Sequence, residues 1–218
     1  MYKAYYYPLK PDEIDGYDII SEAQAESEDH TYHECPVWKH KCNRSFVVRS
    51  PIDFEIEIKD GELIYNLPQF YPVIISDEKE LDTIQPVIQL KFPTFYFWTN
   101  TDNLWFELLD HPMTSLNNNM VIVGGWWNLG NYPRSASVPI RFVDRNKKVS
   151  IKKEDPLYRV RFYGEDLNTG IKLIKSSILP NDVQIQNLAN NPRKAGKSGM
   201  NRRLFAKKQC PFKGYLNL

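Results

Sequence analysis

Phe54-Glu55-Ile56-Glu57-Ile58-Lys59-Asp60-Gly61-Glu62-Leu63-Ile64-Tyr65 is the stretch that decides the fold class. Apolar and charged residues alternate from 54 to 58. That period turns one side of a strand to a core and the other to water. Asp60-Gly61 then precedes a second apolar run, which predicts a two-residue hairpin. A type I′ turn needs positive φ at both central positions, and an Asp-Gly pair tolerates it. Outward from this hairpin the pattern recurs. Val47-Val48 leads into the first strand. Residues 73–75, 87–92, 94–98, 104–109, 120–123, 138–143, 149–151 and 157–163 are further strand candidates. Turn residues punctuate them: 99–103, 117–119, Gly124-Gly125 and 144–146. Many short strands with regular turns predict an all-β fold, a β-sandwich or compact barrel of jelly-roll or β-clip-like form.

Helix is scarce. Residues 35–42 suit one or two helical turns, with Pro36 near the first helical position, and residues 181–190 suit another, with Asn181 as N-cap. The segment 19–34 reads as a loop or short helix. Pro180 is the expected end of the β domain, so the division is 1–180 for that domain and 181–218 for a short helix and an extended basic C-terminal arm.

The chain has 218 residues, 42% hydrophobic and 13% aromatic, enough for a core and against global disorder. No apolar stretch approaches the ~20 residues of a membrane span, so no membrane partner is expected. The N-terminus Met1-Tyr2-Lys3-Ala4-Tyr5-Tyr6-Tyr7 lacks the apolar run of a secretory signal. Three cysteines cannot all pair, which favours a reducing compartment. The net charge of +1 hides a dipolar chain. Nine carboxylates and no Lys or Arg fall in residues 11–34, while the last 28 positions carry eight cations and no carboxylate. Phe205 and Phe212 interleave with Arg202, Arg203, Lys207 and Lys208. Apolar anchors among cations suit docking on a protein surface, with nucleic acid as another candidate partner of the arm.

Chemistry-bearing motifs are few. His30, His33, Cys35, His40 and Cys42 fall within thirteen residues and are the candidate zinc ligands. Their spacing matches no common zinc knuckle, so the expectation is no metal and no cofactor. None of the four histidines has an acidic residue at +2, against a cupin-type iron site. There is no Gly-x-Ser-x-Gly and no phosphate-binding Gly-x-x-x-x-Gly-Lys loop. Four of the five tryptophans lie between 98 and 127. Such a belt serves either as core and interface or as a stacking platform for sugars or bases. Trp126 and Trp127 are adjacent, and adjacent strand residues point to opposite faces, so one of them belongs at an interface or pocket.

Two resemblances bear on function. Cys35-Pro36, Phe46-Val47-Val48-Arg49-Ser50-Pro51-Ile52-Asp53, Asn103-Leu104-Trp105, Gly125-Trp126-Trp127, Pro139-Ile140-Arg141-Phe142 and Ile151-Lys152-Lys153-Glu154-Asp155-Pro156-Leu157-Tyr158 resemble an uncharacterised β-rich protein family of tailed phages, cyanophages included, and of some bacteria. The blocks span residues 35–163, and the resemblance implies a phage-type β domain with no known activity. The layout of residues 124–134, 138–143 and 151–162 is similar to the last strands of trimeric dUTPases, and Asp15-Gly16-Tyr17-Asp18 looks like an early motif of theirs. Asn128 and Asn131 stand near the place of that family's water-activating Asp, and an amide is no general base. Its Arg-Ser-Ser phosphate motif has no counterpart beside Thr114-Ser115.

Taken together, the sequence predicts a non-catalytic, phage-type structural or accessory protein of the virion or host cytoplasm. It would assemble as a homo-oligomer or with other virion proteins through Trp126, Trp127 and the arm residues Arg202, Arg203, Phe205, Lys207, Lys208 and Phe212. The alternatives are a nucleotide-handling, dUTPase-like β-clip enzyme with degraded motifs, or a carbohydrate-binding module.

Overall fold

A computed structural model describes residues 1–8, 19–22, 35–67, 73–75, 87–112, 114, 118–131 and 133–183. Among them the fold is all-β. The strands are β1 (Tyr2–Pro8), β2 (Ile19–Ser21), β3 (Ser45–Arg49), β4 (Phe54–Lys59), β5 (Glu62–Tyr65), β6 (Val73–Ile75) and β7 (Val87–Trp98). They continue as β8 (Trp105–Asp110), β9 (Met120–Ile122), β10 (Gly125–Asn128), β11 (Arg134–Phe142), β12 (Val149–Ile151), β13 (Pro156–Tyr163) and β14 (Ile171–Lys175). One helix, α1 (Pro36–Cys42), precedes β3, with Pro36 in its first turn as the sequence predicts. The C-terminal arm lies outside the described residues, as does most of the acidic segment 11–34.

Three sheets form. The first runs β14-β1-β7-β11-β9, with β6 also on β7; the second runs β10-β8-β13-β3-β2; the third is β12-β4-β5. The first two face each other across an aromatic core. Phe97 lies 4.8 Å from Phe106 and 6.4 Å from Phe162, ring centre to ring centre. Phe54, Ile56, Val149 and Ile151 of the third sheet bury into the same cluster. Each such side chain contributes roughly 1.5–3 kcal/mol on leaving water.

The structure adds two strands and corrects two expectations about elements. The tyrosine-rich N-terminus is a strand: β1 pairs antiparallel with β7 and parallel with β14. Its partner β14 has no strand counterpart in the sequence reading, because Ile-Lys-Leu-Ile-Lys is too short and half polar to declare itself. Residues 19–21 are a strand on the edge of β3. Finally, 87–92 and 94–98 form one strand, although Pro93 interrupts it. The β11 register shifts between Ala136 and Val138 opposite this point, while β1 pairs only 95–98 and β6 only 88–90. Proline's missing N–H therefore falls where no ladder demands it.

The deciding hairpin forms as predicted. Ile58 faces Leu63 and Lys59 faces Glu62 across the turn, and Asp60 and Gly61 take φ of 54° and 81°. A Cβ on Gly61 would meet no atom within 4 Å, so the site tests backbone conformation alone. Gly61→Val is expected to lower stability by about 1–3 kcal/mol through strain at positive φ. Thermal unfolding of the purified variant checks it; an unchanged melting temperature would show that the turn does not depend on this geometry.

Candidate functional site

The second sheet buries one face and presents the other. On β8, Phe106 and Leu108 are buried while Trp105, Glu107 and Leu109 are half-buried on the opposite side. Pairing with β10 and β13 fixes what stands beside them. Glu107 lies across from Trp126 on one flank and Arg161 on the other, and Arg161 lies across from Ser45. Trp126, Glu107, Arg161 and Ser45 therefore make one row across four strands. Trp105 lies between Asn128 and Tyr163 in the next row. Cross-strand partners on one face sit about 5 Å apart, within side-chain contact.

The contacts are specific. Trp105 and Trp126 pack with ring centres 5.0 Å apart at 45°. Trp126 stays 49% exposed on this face. The Tyr163 hydroxyl donates to Glu107 Oε2. Arg161 donates from Nη1 to the Tyr163 oxygen at 3.1 Å and from Nε to Ser45 Oγ at 3.1 Å. Burial, reinforced by the Glu107 carboxylate, pushes the Tyr163 phenol up, so it remains a proton donor.

A second polar group lies at the β2 side of the same sheet. Glu22 follows β2 and is fully buried; its Oε1 accepts from Lys41 Nζ at 2.8 Å and from Arg159 Nη1 at 2.9 Å. Arg159 Nε also donates to the Asp110 carbonyl at 2.9 Å. Burial opposes ionisation of Glu22, but the bonds from Lys41 and Arg159 outweigh it and hold the carboxyl below its ordinary value. His111, buried beside this group, is pushed down to about 4 by burial and by the Arg159 charge. Burial instead raises Asp110.

The structure separates the two adjacent tryptophans. Trp127 turns inward against Phe106, with ring centres 4.3 Å apart, and Trp126 turns outward. Cys35 and His40 are exposed and Cys42 is buried, while His30 and His33 lie outside the described residues. Among the described residues no three His, Cys, Asp or Glu side chains gather as a metal site. Arg202, Arg203, Phe205, Lys207, Lys208 and Phe212 also lie outside the described residues. Asn128 has a structural role: its Oδ1 accepts the Asn131 N–H at 3.0 Å and closes the turn after β10. Sequence reasoning missed Glu107, Arg161 and Tyr163. The signal was present as Trp-x-Glu and Arg-x-Arg-x-Tyr alternation within strands, but the register that brings them together is not readable from either strand alone. No described helix is long and apolar enough to cross a membrane.

No protein-family model matches the chain, and no curated protein matches it. The expected tie to a tailed-phage family and to a virion structural role thus finds no support. Among solved structures, the chain is similar to the EIAV dUTPase at 10% identity and a TM-score of 0.39, covering 82% of this chain and 98% of that one. It is similar to a Staphylococcus bacteriophage 80alpha dUTPase at 10% identity and 0.34, covering 63% and 81%. A dUTPase from phage phi11 of S. aureus aligns at 9% identity and 0.35, covering 67% and 90%. All three are dUTPases, which runs against the expectation of a non-catalytic protein. The likeness itself assigns no activity to this chain.

The buried charges make stability depend on acid. His111 has a folded value of about 4 against an ordinary 6.5, so the unfolded chain binds the extra proton. Stability is then lost as pH falls from 6.5 to 4. Glu22, held below 4.5, adds a further loss below that value. Urea midpoints measured from pH 7 to pH 4 are expected to fall, and His111→Asn is expected to flatten the span between 6.5 and 4. Glu22→Gln at pH 7 is expected to cost about 3 kcal/mol by leaving the largely covered Arg159 without its counter-charge. An equal slope in wild type and His111→Asn would assign the acid sensitivity elsewhere.

Proposed function

We propose that the chain is a nucleotide-handling β domain whose ligand lies on the outer face of the second sheet. The observation that carries the reading is the half-exposed Trp126, braced by Trp105, in one row with Glu107 and Arg161. A flat ring gains roughly 1–3 kcal/mol by stacking on such a side chain. Arg161 has its Nε and Nη1 committed to Ser45 and Tyr163, while Nη2 bonds no described residue. A fixed guanidinium with an open donor suits a phosphate oxygen. A ring platform and an anion donor side by side match the two halves of a nucleotide. The domain limits 1–180 and 181–218 and self-association of the chain belong to the same proposal.

A sugar ligand is the second reading. It is favoured by the Tyr163–Glu107 bond, because a carboxylate and a phenol at the edge of a tryptophan also suit adjacent hydroxyls.

Tryptophan fluorescence separates the two. Nucleoside monophosphates are expected to quench emission saturably, and Trp126→Ala to weaken binding at least about fivefold, the lower end of a stacking contribution. Arg161→Gln is expected to weaken monophosphates more than nucleosides. Saturable quenching by soluble oligosaccharides with none by nucleotides would transfer the site to the sugar reading.

A further inference from the structure

Trp126 and Glu107 are direct cross-strand partners, so a ring laid on Trp126 brings its edge to the Glu107 carboxylate. Only one carboxylate oxygen is used within the fold. Oε2 accepts from Tyr163, while Oε1 bonds no described residue. The raised Tyr163 phenol keeps its proton, so it remains a donor to Oε2 and does not compete for Oε1. An ionised carboxylate only accepts hydrogen bonds. The edge of the platform is therefore an acceptor, half-buried and held in place by Tyr163, which Arg161 in turn fixes.

From this we infer, resting on the nucleotide reading, that the surface selects bases whose exposed edge offers donors. Cytosine and adenine present an exocyclic amine, and guanine an N–H beside an amine. Each can donate to Glu107 Oε1 while its ring stays on Trp126. Uracil and thymine flank their single ring N–H with two carbonyl oxygens. Placed against a carboxylate, those oxygens meet like partial charge on both sides of the one N–H and weaken its bond to the acceptor. A poorly satisfied carboxylate at a partly desolvated contact is costly, and this disfavours uracil and thymine. Glu107 thus acts as the specificity-determining residue and Tyr163 as its positioning residue.

The experiment is fluorescence titration of the full chain with CMP and UMP, repeated for Glu107→Gln and Tyr163→Phe. In the wild type, CMP is expected to bind at least about tenfold more tightly than UMP. Glu107→Gln is expected to bring the two within about threefold, because a carboxamide offers both a donor and an acceptor. Tyr163→Phe keeps the carboxylate and is expected to retain a preference for CMP with weaker binding of both. Its thermal unfolding beside that of Glu107→Gln confirms that both variants fold. UMP binding as tightly as CMP in the wild type, or an unchanged ratio in folded Glu107→Gln, overturns the inference and leaves the nucleotide reading standing. Absence of saturable quenching by either nucleotide overturns both.

Discussion

The register of β8 between β10 and β13 is the constraint on which the rest of the molecule depends. Side chains on a strand alternate faces, so a slip of one residue would exchange every inward group for an outward one. With Phe106 across from Trp127 and Phe162, three rings enter the core from three adjacent strands. The same register then forces Trp126, Glu107 and Arg161 onto the opposite face. The aromatic core holds the surface row in place without touching it. Gly124 adds a local requirement: a Cβ there would come within 2.7 Å of the Leu108 carbonyl oxygen, so only glycine lets the chain enter β10 this close to β8.

The fold class was legible because its signals are local. Alternation in Phe54–Ile58 and the Asp60-Gly61 turn need no distant partner to be read. Elements whose strand character comes from their neighbours were not legible. Residues 2–8 carry four tyrosines, and only pairing with β7 and β14 shows which of them face inward. Pro93 looked like a boundary because proline breaks a ladder. It does not break this one, since a register shift falls opposite it. The candidate site was half legible for the same reason. That Trp126 and Trp127 must diverge follows from strand geometry alone. Which of the two faces out, and which charged residues join it, depends on pairing between strands that lie far apart in sequence.

Burial of charge sets a second pattern at the other end of the same sheet. Glu22 is completely buried just after a three-residue edge strand that offers few ladder hydrogen bonds. Two cations converge on one of its oxygens, and together they overcome the desolvation that would otherwise neutralise it. Such a cluster adds little net stability compared with apolar packing, but removing one member leaves the others exposed to the full penalty. Its effect is therefore mainly one of specificity: β2 can dock on β3 only in the register that delivers Glu22 to Arg159 and Lys41.

The two ends are coupled through β3. Ser21 pairs with Phe46, which sets Glu22 level with Ser45, and Ser45 is the residue that receives Arg161 Nε. If β2 left the edge of β3, Ser45 and Val47, both buried on this side, would lose their cover. Water would then compete with Arg161 Nε for Ser45 Oγ, and the guanidinium behind Tyr163 would be less firmly fixed. The outer row is thus rigid at its charged end because an edge strand is pinned by a buried carboxylate, and at its aromatic end because Trp105 braces Trp126. Rigidity at both ends lets a surface platform discriminate between ligands. A mobile arginine or tryptophan would spend its contact energy on ordering itself.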